Sequence, residues 1–295
     1  MSCEVVEDIW KQQSVWSQAA SHAKISVSRS FTLVLGLGVA AAVLGAFSAQ
    51  LGSDHPGVAR WLAVAAAVGV AVTPLARRGS AGKAVEEWVR MRAMSESCKS
   101  DVFLYLAGAT PFTGPDRDIL LRDRADELLG AAGDLSGHTL RVAPRVRPLP
   151  AVTGPESYFT ERVDRQIHDY YRPAALRASR RLAWTRRAEL FLGLAGAVLA
   201  ALGAAGLTAA TIWVGVVTTV AAAVTAHLAS TRLEFLHLEY SRTSGELARL
   251  RARANVSGAD LPDLIARCEQ VISTQNSTWV AKWTAEAAQQ ETAAS

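Results

Sequence analysis

From Leu190 to Ala229 the chain contains no Lys, Arg, Asp or Glu, and glycines and threonines gather in its middle, in "LGAAGLTAATIWVG" at 202–215. As one helix this run would span roughly 60 Å at about 1.5 Å per residue, about twice the hydrocarbon thickness of a bilayer. Two helices joined by a tight turn fit that length, and Gly203 and Gly206 suit the turn. The run therefore predicts a transmembrane hairpin over 190–229.

Two more apolar blocks, at 31–51 and 58–76, are separated from the run by charged stretches. A soluble protein spreads its apolar residues through many amphipathic elements and does not concentrate them in blocks. The first pair of blocks predicts a second hairpin over 31–76. Its weaker member, Trp61 to Ala76, is roughly 24 Å long as a helix. It is helped at its ends by Arg60, Trp61, Arg77 and Arg78, residue types that anchor spans at the interface. "AFS" at 46–48 resembles a signal-peptidase site, but the preceding stretch is long and carries Glu4, Glu7 and Asp8, so the block is expected to be retained as a span.

The two halves share a pattern. "AVTPLA" at 71–76 answers "AVTAHLA" at 223–229, and the same offset pairs Trp61 with Trp213, Glu87 with Glu239, Trp88 with Tyr240 and Arg90 with Arg242. This predicts an internal duplication, each copy a leading helix, a hairpin and a trailing helix. The first copy is placed at 1–110 and the second at 157–295. Between them, 111–156 is a cytoplasmic linker. In it "GPDRDILLRDRADELLG" reads as a short charged helix and "VAPRVRPLPAVTGPE" as an extended, proline-rich connection.

Heptad-like stripes support that division. In the second copy Leu236, Tyr240, Thr243, Leu247, Leu250 and Ala254 alternate at spacings of four and three; the first copy has Ala84, Trp88, Met91, Ser95, Cys98 and Val102 at the matching positions. Trp88, Met91, Tyr240, Leu247 and Leu250 are expected to form a cytoplasmic packing seam. The leading helices carry stripes of their own, Val6, Ile9, Trp16, Ala20, Ala23 and Val27 with Gln13 interrupting, and Ile167, Tyr171, Ala174, Ala178 and Leu182. Pro173 is expected to kink the second of these helices or to start a new one. The expected fold is thus an all-α integral membrane protein, two tandem hairpins with four spans continued by long cytoplasmic amphipathic helices.

Lys and Arg crowd the outer flanks of both hairpins, whereas the short loops inside them hold only Arg60. The positive-inside rule then puts both termini and the linker in the cytoplasm. Arg180, Arg181, Arg186 and Arg187 precede the third span and are expected to contact lipid headgroups in preference to nucleic acid. Cys3, Cys98 and Cys268 are far apart and lack metal-ligand spacing, which fits a reducing compartment without a disulfide framework.

Chemistry-bearing motifs are absent. The sequence has no phosphate-binding Gly-Lys-Ser/Thr loop, no G-x-S-x-G and no H-E-x-x-H, and its acidic residues are expected on charged helix faces. No enzyme, cofactor or metal site is expected. Small residues at Gly38, Ala42 and Ala46, and at Gly196, Ala200 and Ala204, allow close helix contact. Thr211, Thr218 and Thr225, with His227 beyond them, form a polar stripe on the fourth span that either lines a pathway or meets a neighbouring helix.

Three stretches carry a family resemblance: "RAMSESCKSDVFLYLAGATPF" at 92–112, "YFTERVDRQIHDYY" at 158–171 and "STQNSTWVAKW" at 273–283. They resemble the bacterial domain of unknown function 4231, a relative of the SLATT two-transmembrane domains, which are named for their association with nucleotide-synthase and nucleotide-sensor domains. Cys98 stands where the family pattern has a leucine. The resemblance implies an oligomeric membrane effector of a bacterial conflict system in the inner membrane, forming a pore or otherwise damaging the membrane once a nucleotide-signalling or sensor partner triggers it. The alternative is a membrane scaffold that recruits partners through its cytoplasmic helices.

Overall fold

The computed structural model describes residues 2–77, 82–231 and 233–275, except the side chains of Ser2, Cys3, Arg77, His227 and 229–231. These residues form helices and turns without a strand. In chain order the long helices are α1 (Ser2–Leu51), α2 (Pro56–Arg77), α3 (Gly82–Ala107), α4 (Arg117–Ala131), α5 (Pro155–Ala204), α6 (Thr208–Thr231), α7 (Leu233–Ala254) and α8 (261–275). α2 begins five residues ahead of the expected span because Pro56 takes its first position, where a missing N–H costs nothing. The short charged helix expected in the linker is α4.

The chain divides into two compact units, each built from both halves of the sequence. One comprises 26–80 and 176–237 and holds the apolar parts of α1, α2, α5 and α6. These four helices are long and apolar enough to cross a membrane. Their large side chains point outward: Trp61, Leu190, Phe191 and Leu194 are each at least 68% exposed. Water does not tolerate such a surface on a monomer, and lipid does.

Within this unit α1 and α2 are joined by four residues and lie against each other, the Ser48 hydroxyl donating to the Ala59 carbonyl at 2.7 Å and Gly69 facing Ala41. α5 and α6 are joined as tightly. Gly206 takes the turn with φ of 98°, a conformation that side chains resist, while Gly196 faces Val217 and Gly203 faces the Thr211 methyl. Phe47 meets Trp213 edge to face at 5.2 Å and the Gln50 amide donates to the Ala209 carbonyl at 3.4 Å, which ties the two helix pairs together.

The second unit comprises 1–25, 81–175 and 238–295 and has an ordinary buried core. Val6, Ile9, Trp16, Met91, Val102, Tyr171, Leu247 and Ile265 are among its buried side chains. Gln13, which breaks the leading stripe, is buried against Ser95, which breaks the trailing one; the Gln13 amide donates to the Ser95 hydroxyl at 2.9 Å. Each polar interruption therefore satisfies the other. The proline-rich segment is extended, as expected, but it is also fastened to α1: Trp10 donates its indole N–H to the Pro148 carbonyl at 3.0 Å, and Ser14 accepts from the Arg145 amide at 2.9 Å.

Pro173 is the second residue of the regular α-helical stretch Arg172–Ala204, so a change of winding begins there, as expected, without a break in α5. The helix runs through it, with wider π turns over Phe159–Asp164 and Gln166–Tyr171. Proline in an α-helix clashes with the carbonyl four residues earlier, and the wider winding just ahead of it relaxes that constraint.

Candidate functional site

The π-wound stretch 158–171 is the family-like motif "YFTERVDRQIHDYY", and it delivers two polar side chains to the core of the second unit. Tyr158 and Arg162, one turn apart, both reach Glu269 on α8. Arg162 donates through Nε and Nη2 to the two carboxylate oxygens at 2.8 and 3.0 Å. Tyr158 and Ser100 add hydroxyl donors, each at 2.8 Å. Glu269 thus accepts four hydrogen bonds while almost wholly buried.

Burial works against the charge on Glu269, but Arg162, Tyr158 and Ser100 overcome it and hold the carboxyl below its usual range. Burial likewise opposes the charge on Arg162, whose pKa Glu269 nonetheless keeps high. The expectation that the acidic residues sit on charged helix faces is therefore wrong for Glu269, and also for Asp101, buried and paired with Arg124 at 3.0 Å. Helical periodicity around Glu269 shows only a polar residue beside Cys268. Its partners come from α3 and α5, more than a hundred residues away, so spacing along the chain could not reveal them. The two described cysteines, Cys98 and Cys268, are free and buried, and burial pushes both thiols up to about 12.

Beside the ion pair lies a cavity of about 550 Å³ within the same unit, lined by parts of α1, α3, α5 and the proline-rich segment. Five cationic side chains border it: Arg92, Lys99, Arg147, Arg162 and Arg165. Aromatic faces hold three of them. The Arg147 guanidinium lies 3.6 Å from the Trp10 ring centroid, Arg162 lies 4.9 Å from that of Phe103, and Arg92 lies 5.6 Å from that of Tyr170. Such contacts fix a guanidinium without cancelling its charge.

The residues expected from the sequence fall in different places. Trp88, Met91, Tyr240, Leu247 and Leu250 are all buried in the second unit. Arg180, Arg181, Arg186 and Arg187 are exposed on α5, Arg186 lying 3.6 Å from Glu234. Thr211 and Thr218 turn their hydroxyls back onto carbonyls of their own helix, and Thr225 donates to Glu189 at 2.9 Å. All three threonines are exposed. The His227 side chain, Arg78, Arg232 and 276–283 of the terminal motif lie outside the described residues.

The fold and the exposed apolar helices define the class, an all-helical protein consistent with life in a membrane. Residues 158–279 match the SMODS and SLOG-associating 2TM effector domain 1, and residues 14–118 match a family of proteins of unknown function, DUF4231. The chain is thus similar to DUF4231 in its first half and to a SLATT effector domain in its second, in agreement with the resemblance its motifs carry. No curated protein and no solved structure matches it.

Proposed function

We propose that this protein is a multi-pass effector of a bacterial conflict system that assembles as a homo-oligomer in the inner membrane and opens a pore or channel. The observation that carries this reading is the effector-domain match over 158–279, which includes one pair of candidate spans and the motif beside the buried ion pair. The two helix pairs act as tandem transmembrane hairpins, and family matches in both halves are in keeping with an internal duplication. Four spans are too few to enclose a sizeable pore. Several copies must contribute, and the exposed Ala200 and Ala204 leave a small-residue face for contact between them. No catalytic step is part of this reading.

The positive-inside rule orients the hairpins with both termini and the linker in the cytoplasm. Reporter fusions truncated after residue 54, after residue 148 and at the C-terminus are expected to place only the first outside. A periplasmic signal from the fusion at 148 would overturn the hairpin topology.

A pore lined by threonine and alkyl side chains closes by dewetting and needs no charged gate. Thr218 is exposed in the single chain and lies at the centre of the threonine stripe. Thr218→Asp is therefore expected to change cation-over-anion selectivity several-fold in reconstituted bilayers. Oligomeric protein that passes no current, wild type or variant, while its second unit captures partner proteins, would favour the scaffold.

A further inference from the structure

The lining of the cavity beside the Arg162–Glu269 pair has more cations than carboxylates, five against Glu96, Glu161 and Asp169. Arg165 is paired with Glu161 at 2.9 Å, and Glu269 binds Arg162 through two of its nitrogens. The third, Nη1 of Arg162, is buried without a hydrogen-bond partner. The half-buried ammonium of Lys99 forms no ion pair with any described residue. Arg147 rests on Trp10 and donates to the neutral Gln13, and Arg92 donates to the Tyr170 hydroxyl. Glu96, only half-buried, and Asp169, which is exposed, are the remaining carboxylates of the lining.

Gln12 Oε1 and Gln275 Oε1 are also buried without a partner, but among these atoms only Nη1 of Arg162 belongs to a cation, and leaving it unmatched is costly. An anion that enters the cavity removes that cost. Arginine forks and a lysine point charge together suit phosphate, whose oxygens accept from several directions. The cavity's volume falls within the roughly 300–1,000 Å³ common to small-molecule sites. We propose that this cavity is a binding site for a free phosphorylated small molecule, held by Lys99, Arg147 and the unpartnered nitrogen of Arg162. The parts of α1 and α5 that line it belong to the second unit, and its occupancy does not depend on whether the protein conducts.

Burial pushes the Lys99 ammonium down; Glu96 and Glu269 oppose that shift, while the neighbouring Arg162 and Arg147 push in the same direction as burial. The test is calorimetric titration of the full chain in neutral detergent with three probes: inorganic pyrophosphate, ADP, and a short-chain phosphatidylglycerol. Pyrophosphate or ADP is expected to bind at micromolar to low millimolar concentration. Lys99→Gln with Arg147→Gln should weaken that binding at least tenfold, while Arg180→Gln with Arg181→Gln leaves it unchanged. Lys99 and Arg147 make no ion pair that holds the core, so the double variant is expected to keep the wild-type circular dichroism and melting curve. Binding of the lipid alone, absence of binding by both soluble phosphates, or equal binding by the folded double variant would each overturn the proposal.

Discussion

Replacing Glu269 with leucine is expected to destabilise the second unit by about 3–5 kcal/mol, because it leaves the Arg162 guanidinium buried and uncompensated. Arg162 is 1% exposed and cannot swing into water without opening the core. The effect is read by hydrogen exchange of the α3 and α8 amides in the full chain. The double variant Arg162→Met, Glu269→Leu is expected to recover most of the loss, since well-packed apolar residues can replace a buried ion pair at little cost. Equal destabilisation in the single and double variants would show that the pair does not act as a unit.

The same pair sets an acid limit. Glu269 has a folded pKa below the 4.5 of an ordinary glutamate, so the stability it adds is complete above that value and is lost as pH falls through its folded pKa. Protonation removes the charge that compensates Arg162. The double variant should therefore lose this part of the acid sensitivity.

The second large effect is expected from Leu247→Asp combined with Leu250→Asp. Leu247 is fully buried and Leu250 nearly so, so the change removes two apolar contacts and forces two carboxylates into a core without partners for them. A loss of about 4 kcal/mol or more follows, enough to unfold a unit of ordinary stability. Membrane insertion should continue, because the candidate spans in α1, α2, α5 and α6 are untouched. Limited proteolysis of membranes checks both halves of this expectation: the second unit becomes sensitive while the chain stays in the membrane fraction. Unchanged protease resistance would mean that the stripe carries no packing.

Much of the architecture is written in local sequence. A run without charge from 190 to 229 leaves few options other than helices in lipid, since each residue's backbone must be satisfied within its own segment there. The stripes through Met91 and Leu247 are equally local, because a helix repeats its buried face every three to four residues whatever it packs against. Turn position at Gly206 and the extended state of the proline-rich segment follow from backbone preferences alone.

Tertiary structure decided the rest. Glu269 looks like any surface glutamate in its own helix, and only the convergence of α3, α5 and α8 makes it a buried acceptor of four hydrogen bonds. Gln13 and Ser95 look like flaws in two separate stripes until folding sets one against the other. The basic cavity draws on four separate segments, and the proline-rich stretch that supplies Arg147 gives no local sign that it is tied to α1. Periodicity records which face of a helix is buried. Which partner fills that face is settled by contacts between residues far apart in the chain, and the sequence does not encode those contacts at any fixed spacing.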